Sequence, residues 1–348
     1  MKSKTIVCIV GARPQFIKHA PVIKALVGHF NVKTIHTGQH YDHEMSQVFF
    51  DELTIPVPEY ALNIGSSSHA VQTASMMVEI EKILLIEKPN AVLVYGDTNS
   101  TLAGALVSSK LGIPLIHIEA GLRSFNKTMP EEINRIVTDH VSDYLFCSSE
   151  ESRLQLKKEN IINHVVVVGD VMVDALLNAP DSNITINSPY IMVTLHRPYN
   201  VDDENRLNLL LEELNKLNIK IIFPIHPRTK KLLSNKPNEL PVYENIEFIE
   251  PQSYGSLINL QKKAECIITD SGGIQKEAYV LRKRCITIRP ETEWVETLSG
   301  NWNTLVYSDL SELKPALTKP LGPHDWKLFG DGSASKQIAD YLYLNLGN

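Results

Sequence analysis

Short runs rich in valine and isoleucine recur along the chain, and each is followed by a longer stretch whose apolar residues have helical spacing. The runs in the first half are Thr5–Val10, Val32–Thr37, Ala91–Tyr95, Leu115–Ile118, Tyr144–Cys147 and Val165–Val168. Consecutive runs are far enough apart for a crossover helix to lie between them. The pattern therefore predicts βαβ units, in which the strands form a parallel sheet.

The same rhythm begins again after a segment rich in asparagine, serine and proline at residues 178–188. The second series of runs is Tyr190–Thr194, Lys220–Ile225, Ile246–Ile249, Cys266–Thr269 and Cys285–Ile288. We expect an α/β protein with two doubly wound parallel-sheet domains, residues 1–175 and 176–348, and a hinge within residues 170–188. A closing helix is predicted over Ser335–Leu346, either part of the second domain or packed back on the first.

Length and charge limit the classes of partner. The chain has 348 residues, which agrees with two domains of the usual ~150 residues. Its 34 Lys and Arg against 40 Asp and Glu give a net charge of -6, which argues against a broad nucleic-acid surface. No apolar stretch approaches the ~18 residues that span a bilayer. The apolar run Ile6–Val10 is too short for a signal peptide, so we expect no membrane partner and a cytoplasmic location.

Cysteine and histidine spacing gives no sign of a disulfide or a metal site. The four cysteines, Cys8, Cys147, Cys266 and Cys285, are widely spaced and form no CxxC pair. We interpret them as buried thiols. The segment His40–Glu44 contains residue types that bind metals, but no second cluster of similar density accompanies it. We interpret it as a polar loop and expect no metal.

Ligands of doubly wound sheets bind beyond the carboxyl ends of the strands, so the residues directly after each strand are the informative ones. The first strand is followed by Gly11–Lys18, which lacks the GxGxxG pattern of a nicotinamide or flavin dinucleotide site. Arg13 and Lys18 lie at a helix start, where they can meet an anion such as a diphosphate. The alternative is an ordinary turn with two solvated cations.

Acidic residues lie at the ends of the third and fourth predicted strands. Asp97 comes after Gly96, where it either caps the next helix or belongs to a site. His117 and Glu119 end the fourth predicted strand, and strand alternation puts them on one face at the sheet edge. A carboxylate at that edge is a candidate for catalysis.

The segment Pro130–Arg135 has the composition of a helix start, with proline first and two acids in the first turn. Glu131 is either a second site carboxylate or only the partner of Arg135 in a surface ion pair.

Two turns of the second half each combine histidine with arginine. His196–Arg197 follows the first strand of this half, and His226 and Arg228 follow the second. A single histidine of this kind is equally consistent with a core side chain, but two such turns at one sheet edge indicate an anion-lined cleft.

A glycine pair marks the start of a later helix. Ser271, Gly272 and Gly273 join a strand to a helix, so backbone amides, a hydroxyl and a helix N-terminus together predict a phosphate cradle. Glu277, one turn further, is placed to accept from both hydroxyls of a ribose, or it is a solvated carboxylate.

Taken in order, these segments resemble the non-hydrolysing UDP-N-acetylglucosamine 2-epimerases, from residue 6 to about residue 297. The matching segments are Gly11–Pro14, Thr37–His40, Tyr95–Thr98, His117–Arg123, Pro130–Arg135, His196–Arg197 and Asp270–Glu277. The resemblance implies two Rossmann-like domains facing across a cleft, as in type B glycosyltransferases, with the nucleotide sugar between them. It further implies a homodimer and no cofactor.

The resemblance also implies a mechanism and roles for residues. A base removes the proton from C2 while UDP leaves C1, and UDP then re-adds as C2 is protonated on the other face. Asp97, Glu119 and Glu131 match the family's catalytic carboxylates, and His196 matches its active-site histidine. The positions that match its UDP-binding residues are Arg13, Lys18, Ser271, Gly272, Gly273 and Glu277. We add Arg123, Arg135 and His226 as candidates for substrate binding.

Four positions depart from the pattern that many members share: Gln15 and Tyr199 replace glutamate, and Pro198 and Trp294 replace arginine. Such variants resemble the branch that acts on UDP-2,3-diacetamido-2,3-dideoxyglucuronate. The sugar of that substrate carries a carboxylate, and Arg197 or Arg228 is available to pair with it. Both substrates therefore stay open. A UDP-sugar glycosyltransferase is a more distant alternative, because a transferase needs at most one base, whereas three carboxylates match here.

Overall fold

The computed structural model describes residues 4–39, 53–179, 186, 188–225, 227–233 and 240–346. The chain forms two compact units. The first unit comprises the residues up to Asn178 together with those from Lys327 onward, and the second unit is Ala179–Trp326. Each unit is a parallel sheet with helices, which confirms the predicted α/β class with two doubly wound sheets.

The first unit contains a sheet in the order β3-β2-β1-β4-β5-β6-β7. Its strands are β1 Thr5–Val10, β2 Asn31–His36, β3 Tyr60–Ala61, β4 Ala91–Tyr95, β5 Leu115–Ala120, β6 Tyr144–Cys147 and β7 Val165–Val167. Its helices are α1 Arg13–Leu26, α2 His69–Glu87, α3 Asn99–Lys110, α4 Pro130–Val141, α5 Glu150–Lys158, α6 Val171–Leu177 and, from the end of the chain, α13 Ala334–Leu346. The strand order reverses between β1 and β4, so the turns after these two strands adjoin the switch point.

The second unit contains a sheet in the order β10-β9-β8-β11-β12-β13. Its strands are β8 Ile191–Thr194, β9 Ile221–Pro224, β10 Ile246–Ile249, β11 Cys266–Thr269, β12 Arg284–Thr287 and β13 Asn303–Leu305. Its helices are α7 Pro198–Val201, α8 Glu204–Asn215, α9 Pro227–Leu233, α10 Tyr254–Lys263, α11 Gly272–Val280 and α12 Leu313–Thr318, with 3-10 turns at Val295–Asn301 and Leu310–Glu312. Here the order reverses between β8 and β11.

Central strands were predicted well because both of their faces are buried. Every residue of β4 and of β11 is buried, so each strand reads as an uninterrupted apolar run in the sequence. Two strands were missed, β3 with two residues and β13 with three. Both lie at sheet edges, where a short segment needs little apolar sequence. One predicted strand was too short, because β5 continues past Ile118 to Ala120.

The end of the chain returns to the first unit, where α13 packs on α1 and α6. The return begins where the backbone N–H of Asp170 donates to the carbonyl of Phe329 at 2.9 Å. The buried carboxylate of Asp174 then accepts from the backbone N–H groups of Ala334 at 3.2 Å and Ser335 at 2.7 Å. It thereby satisfies amides that the first turn of a helix leaves without partners.

The four cysteines are buried and unpaired, as predicted. Burial raises the pKa of the Cys8 thiol to about 12, so this group stays protonated and unreactive. Among the described residues, no helix is both long enough and apolar enough to cross a membrane.

Gly121, directly after β5, is the tightest backbone approach near the candidate site. Its φ is +82°, and a Cβ there would lie 2.4 Å from the backbone oxygen of Ser152. We predict that Gly121→Ala lowers the free energy of unfolding by about 2–4 kcal/mol, because a backbone atom has to move.

The matched control is Gly112→Ala. Gly112 has a φ of +65°, and a Cβ there would meet no atom within 4 Å. This variant bears only the left-handed conformation, about 1–2 kcal/mol. Equal losses in urea unfolding of the two variants would contradict this account of Gly121.

Candidate active site

Glu119 lies at the switch-point edge of the first sheet in a backbone conformation that non-glycine residues rarely adopt. Its φ is +72°, and the pairing of β5 with β6 shifts register between Ile118 and Ala120. The strict alternation expected for His117 and Glu119 therefore breaks at Glu119. A single residue in this conformation costs on the order of 1–3 kcal/mol, and such residues cluster at functional sites.

The carboxylate of Glu119 forms an ion pair with Lys18 of α1. The side chains are only 13% and 10% exposed. Gly96 makes room for the pair, since a Cβ there would lie 3.1 Å from Glu119 Oε2 and 3.5 Å from Lys18 Nζ. Burial by itself lowers the pKa of Lys18, but the charge of Glu119, with those of Asp170 and Asp97, raises it above its ordinary value. The ammonium group is thus held charged among three acids.

Asp97 follows Gly96 and is held by α4 through two contacts. Its carboxylate pairs with the guanidinium of Arg135, and its backbone oxygen accepts from Asn134 Nδ2 at 2.9 Å. Asp97 is not the helix cap, because Thr98 is the N-cap residue of α3. Asp97 is 30% exposed at its side chain, so the pair lies at the surface of the edge.

The two acids in the first turn of α4 have different surroundings. Arg135 pairs with Glu132 at 2.8 Å, and not with Glu131 as one of the two alternatives for that residue had it. Glu132 is buried and also accepts from the backbone N–H groups of Ser124 at 2.8 Å and Phe125 at 2.9 Å. Glu131 is exposed on the same turn. Glu132 is therefore occupied in holding the preceding loop, whereas Glu131 is accessible from solvent.

A buried carboxylate, Asp139 of α4, joins the elements that carry these residues. It accepts from the ring of His117 at 2.7 Å, from Arg123 at 2.6 Å and from the backbone N–H of Gly121 at 3.1 Å. The other ring nitrogen of His117 lies 2.8 Å from the carbonyl oxygen of Gly96. The ring of His117 thus links the carboxylate of Asp139 to the turn that follows β4.

The electrostatics of this cluster favour the ionised carboxylate. Burial by itself raises the pKa of Asp139, but the charge and hydrogen bond of His117 and the guanidinium of Arg123 lower it below its ordinary value. Arg123 also forms a two-pronged pair with Glu159, at 2.8 and 2.7 Å, and its side chain is 2% exposed. The guanidinium of Arg123 is thus buried between Asp139 and Glu159. In this position it holds the sheet edge together, and no face of it is accessible for the substrate contact that the sequence suggested.

The helix start after β1 separates Arg13 from Gln15. Arg13 is exposed at the first position of α1. Gln15 is 2% exposed, and its amide accepts from the N–H groups of Gly11 and Ala12 and donates to Tyr95 O and Thr101 Oγ1. All the hydrogen bonds of this amide are therefore made within the protein.

In the second unit, buried Asp270 holds the turn that carries His196. Its carboxylate accepts from the backbone N–H groups of His196 at 3.1 Å and Arg197 at 3.0 Å, and from Asn200 Nδ2 at 3.0 Å. His196 Nδ1 lies 3.3 Å from Asp270 Oδ1, while the histidine side chain is 43% exposed. Asp270 was not singled out from the sequence, although it opens the Asp270–Glu277 segment.

The start of α11 has the features expected of an anion cradle. Ser271 is the N-cap residue, and its hydroxyl accepts from none of the described amides of the helix. A Cβ on Gly273 would meet no atom within 4 Å, whereas one on Gly272 would lie 2.2 Å from Glu293 Oε1. Glu293 also pairs with Arg289 at 2.8 Å. A carboxylate oxygen already lies against this helix start, as an anionic group would.

Glu277 and Lys276 lie one turn further along α11. Glu277 is 6% exposed, and its Oε2 accepts from Gln261 Nε2 of α10 at 2.6 Å. Lys276 lies over the ring of Trp294, with the ammonium 4.3 Å from the ring centre. The arginine-to-tryptophan change at residue 294 thus supplies a cation–π contact with a buried lysine.

Two candidates lie outside the described residues: His226 and the segment His40–Glu44. The side chain of Arg228 is likewise not described. Among the described residues, no group of three or more His, Cys, Asp or Glu is arranged to hold a metal ion.

Comparison with known proteins gives the family. The model of the UDP-N-acetylglucosamine 2-epimerase family matches residues 24–343. The chain belongs to this family. A "UDP-N-acetylglucosamine 2-epimerase homolog" from Methanococcus maripaludis is 49% identical, over 97% of this chain and 99% of the relative. The UDP-2,3-diacetamido-2,3-dideoxy-D-glucuronate 2-epimerase of Pseudomonas aeruginosa is 45% identical over the same shares.

A solved structure agrees with the family assignment. The Methanocaldococcus jannaschii UDP-GlcNAc 2-epimerase, crystallised with UDP-GlcNAc and UDP, is 43% identical and superposes with a TM-score of 0.82. The match covers 98% of this chain and 99% of that chain. Members of this epimerase family are isomerases, so the chain is an isomerase of the epimerase class.

The Asp139 cluster yields a prediction about stability in this epimerase family member. Asp139→Asn should lower the free energy of unfolding at pH 7 by about 3–5 kcal/mol, because it removes the charge of a buried acceptor that pairs with Arg123 and His117. A lowered folded-state pKa contributes stability that is complete above the unfolded pKa of about 3.9 and is lost as pH falls through the folded value. The difference in the free energy of unfolding between wild type and Asp139→Asn should therefore be smaller at pH 3 than at pH 7.

Urea unfolding at both pH values measures this difference. The matched control is Asp309→Asn, an exposed N-cap residue whose replacement is an equally good cap. A difference for Asp139→Asn that stays constant with pH would contradict the assignment of an ionised, paired carboxylate.

Proposed function

We propose that this chain converts UDP-N-acetylglucosamine to UDP-N-acetylmannosamine by inverting C2, through elimination and re-addition of UDP and without a redox cofactor. The observation that carries the proposal is Glu119, a carboxylate kept at the switch-point edge in a strained backbone conformation and paired with Lys18. The names of the relatives support the substrate class, and the carboxylates of the first unit support the reaction.

The chemistry follows from the position of the C2 hydrogen. C2 carries an acetamido group and adjoins C1, which bears the UDP leaving group, so no ring carbonyl makes its proton acidic. A base takes the C2 proton as the C1–O bond breaks, the electron pair forms the C1–C2 double bond, and UDP leaves with its β-phosphate oxygen. UDP then attacks C1 while C2 receives a proton on the opposite face. Atoms and charge balance without an oxidant.

We assign the two proton transfers to Glu119 and Glu131, with Asp97 as the third carboxylate of the site. Glu119 starts as the partner of a buried ammonium, and Asp97 starts as the partner of Arg135. A substrate diphosphate offers these cations another anionic partner, which releases the carboxylates for proton transfer. His196, exposed and oriented by Asp270, is the active-site histidine of the proposal.

We assign UDP binding to the start of α11 and to Glu277, together with Arg13 and Lys18. Ser271, Gly272 and Gly273 supply the amides and hydroxyl for a phosphate group. We assign the two hydroxyls of the ribose to the carboxylate of Glu277, because a carboxylate has acceptors on both oxygens.

The second candidate substrate is UDP-2,3-diacetamido-2,3-dideoxyglucuronate, favoured by the 45% identical relative of that name. Arg197 stays available at the edge of the second sheet for a sugar carboxylate.

Two further assignments belong to the proposal. We expect a homodimer, because Val71, Val78 and Leu85 repeat every seven residues along α2 and are 56%, 53% and 56% exposed, a stripe that a second copy would cover. A single molar mass equal to one chain in sedimentation would contradict it.

We also place the enzyme in the cytoplasm, because its reducing conditions keep thiols such as the four buried cysteines unpaired.

The reaction is tested by incubating enzyme and UDP-N-acetylglucosamine in deuterium oxide and following C2 by NMR. We predict deuterium at C2 of the product, because the abstracted proton exchanges before the other face is protonated, and no effect of added NAD. Inversion with the C2 hydrogen retained would contradict the mechanism.

The same assay with UDP-2,3-diacetamido-2,3-dideoxyglucuronate decides between the two substrates. The sugar with a kcat/KM about tenfold higher is the substrate of the enzyme.

The carboxylate roles are tested by Glu119→Gln and Glu131→Gln. Each should lower kcat by roughly 10²–10⁴-fold, the contribution of a positioned acid or base, without weakening UDP binding. Glu151→Gln, on an exposed face of α5, is the matched control and should keep wild-type turnover. Near-normal turnover in either site variant would remove that residue from the mechanism.

A further inference from the structure

Gln261 is a fully buried amide on α10 that has one described hydrogen bond from its side chain. Its Nε2 donates to Glu277 Oε2 at 2.6 Å, and the residue is 0% exposed. Its Oε1 is buried and accepts no hydrogen bond in the described part of the chain. Burying half of an amide without a partner costs free energy. Packing alone would be served better by an apolar side chain of the same length.

The hydrogen bond from Gln261 to Glu277 also constrains the orientation of the glutamate carboxylate. The carboxylate of Glu277 is 6% exposed, and an amide N–H on one oxygen sets the rotation of the carboxylate plane. The opposite orientation of the amide would bring its oxygen against a carboxylate oxygen, so only the observed one is favourable. A carboxylate held in one plane presents its two oxygens in a fixed geometry.

We propose that Gln261 is a positioning residue that sets Glu277 for the paired 2′- and 3′-hydroxyls of a ribose. The inference rests on the proposed function, because it assumes that Glu277 binds the ribose of UDP. It predicts that the enzyme distinguishes UDP from 2′-deoxy-UDP, and that the distinction depends on a residue outside the ribose contact itself. A carboxylate can accept from two ribose hydroxyls at once only when its plane has one orientation, whereas it can accept from a single hydroxyl after rotation of that plane.

The test measures dissociation constants for UDP and 2′-deoxy-UDP by calorimetry. Wild type should bind UDP at least about tenfold more tightly, the effect of one hydrogen bond to a charged group. Gln261→Met keeps the length and removes the amide. It should reduce the preference to about threefold or less by weakening UDP, while the affinity for 2′-deoxy-UDP stays within about twofold of wild type. A structural role would instead weaken both ligands alike.

Two further variants make the outcome decisive. Glu277→Ala should abolish the preference. Gln275→Met is the matched control, because Gln275 is also 0% exposed but accepts from Thr292 and Asn303 instead, and it should keep the wild-type preference.

The outcomes separate the inference from the function on which it rests. A preference lost in Glu277→Ala but intact in Gln261→Met would overturn the role of Gln261 and leave ribose binding by Glu277 standing. A wild type with no preference would overturn both. Preference lost in both variants and kept in Gln275→Met supports the inference.

Discussion

The edge of the first sheet depends on one buried carboxylate, Asp139. Through His117 it is joined to the carbonyl of Gly96, and through Gly121 to the turn that follows β5. The same helix supplies Asn134 and Arg135, which hold Asp97. Helix α4 therefore fixes the turns that follow β4 and β5, and the backbone strain at Glu119 persists because neighbouring residues on both sides are held.

Charge at this edge is balanced by close ion pairs. Lys18 pairs with Glu119 and Arg135 pairs with Asp97, and the side chains of the two cations are 10% and 15% exposed. Under the proposed function, the diphosphate of the substrate competes for the same cations. In the second unit, Glu293 lies against the start of α11 in a similar way, as an internal anion next to the predicted cradle. The proposed enzyme thus keeps its ionic groups occupied before substrate arrives.

The sequence predicted the layout and missed the local contacts, for physical reasons. Strands such as Ala91–Tyr95 were found at their exact limits because burial on both faces leaves an apolar run. The positive φ of Glu119 was invisible, since no glycine marks it. Arg135 pairs with Glu132 and not with Glu131. Residues three and four apart are both neighbours on a helix, so the spacing alone could not decide between the two glutamates.

Long-range support was the hardest to foresee. Gln261 and Glu277 lie on different helices, and nothing in either segment signals the other. Asp139 belongs to none of the matching segments, and Asp270 opens one of them without a role of its own being expected, although both are buried carboxylates whose partners include candidate site residues. Motif reasoning locates side chains that touch a ligand, whereas the groups that position them emerge only from the fold.

The central claim is that the bond between C1 and the β-phosphate oxygen breaks in every turnover. It is tested most directly with UDP-N-acetylglucosamine carrying ¹⁸O in that bridging position. If UDP leaves and returns, rotation of the freed phosphate moves the label into the non-bridging β-phosphate oxygens, and ³¹P NMR should show this scrambling at a rate comparable with epimerisation. Epimerisation with the label retained in the bridge would contradict elimination and re-addition.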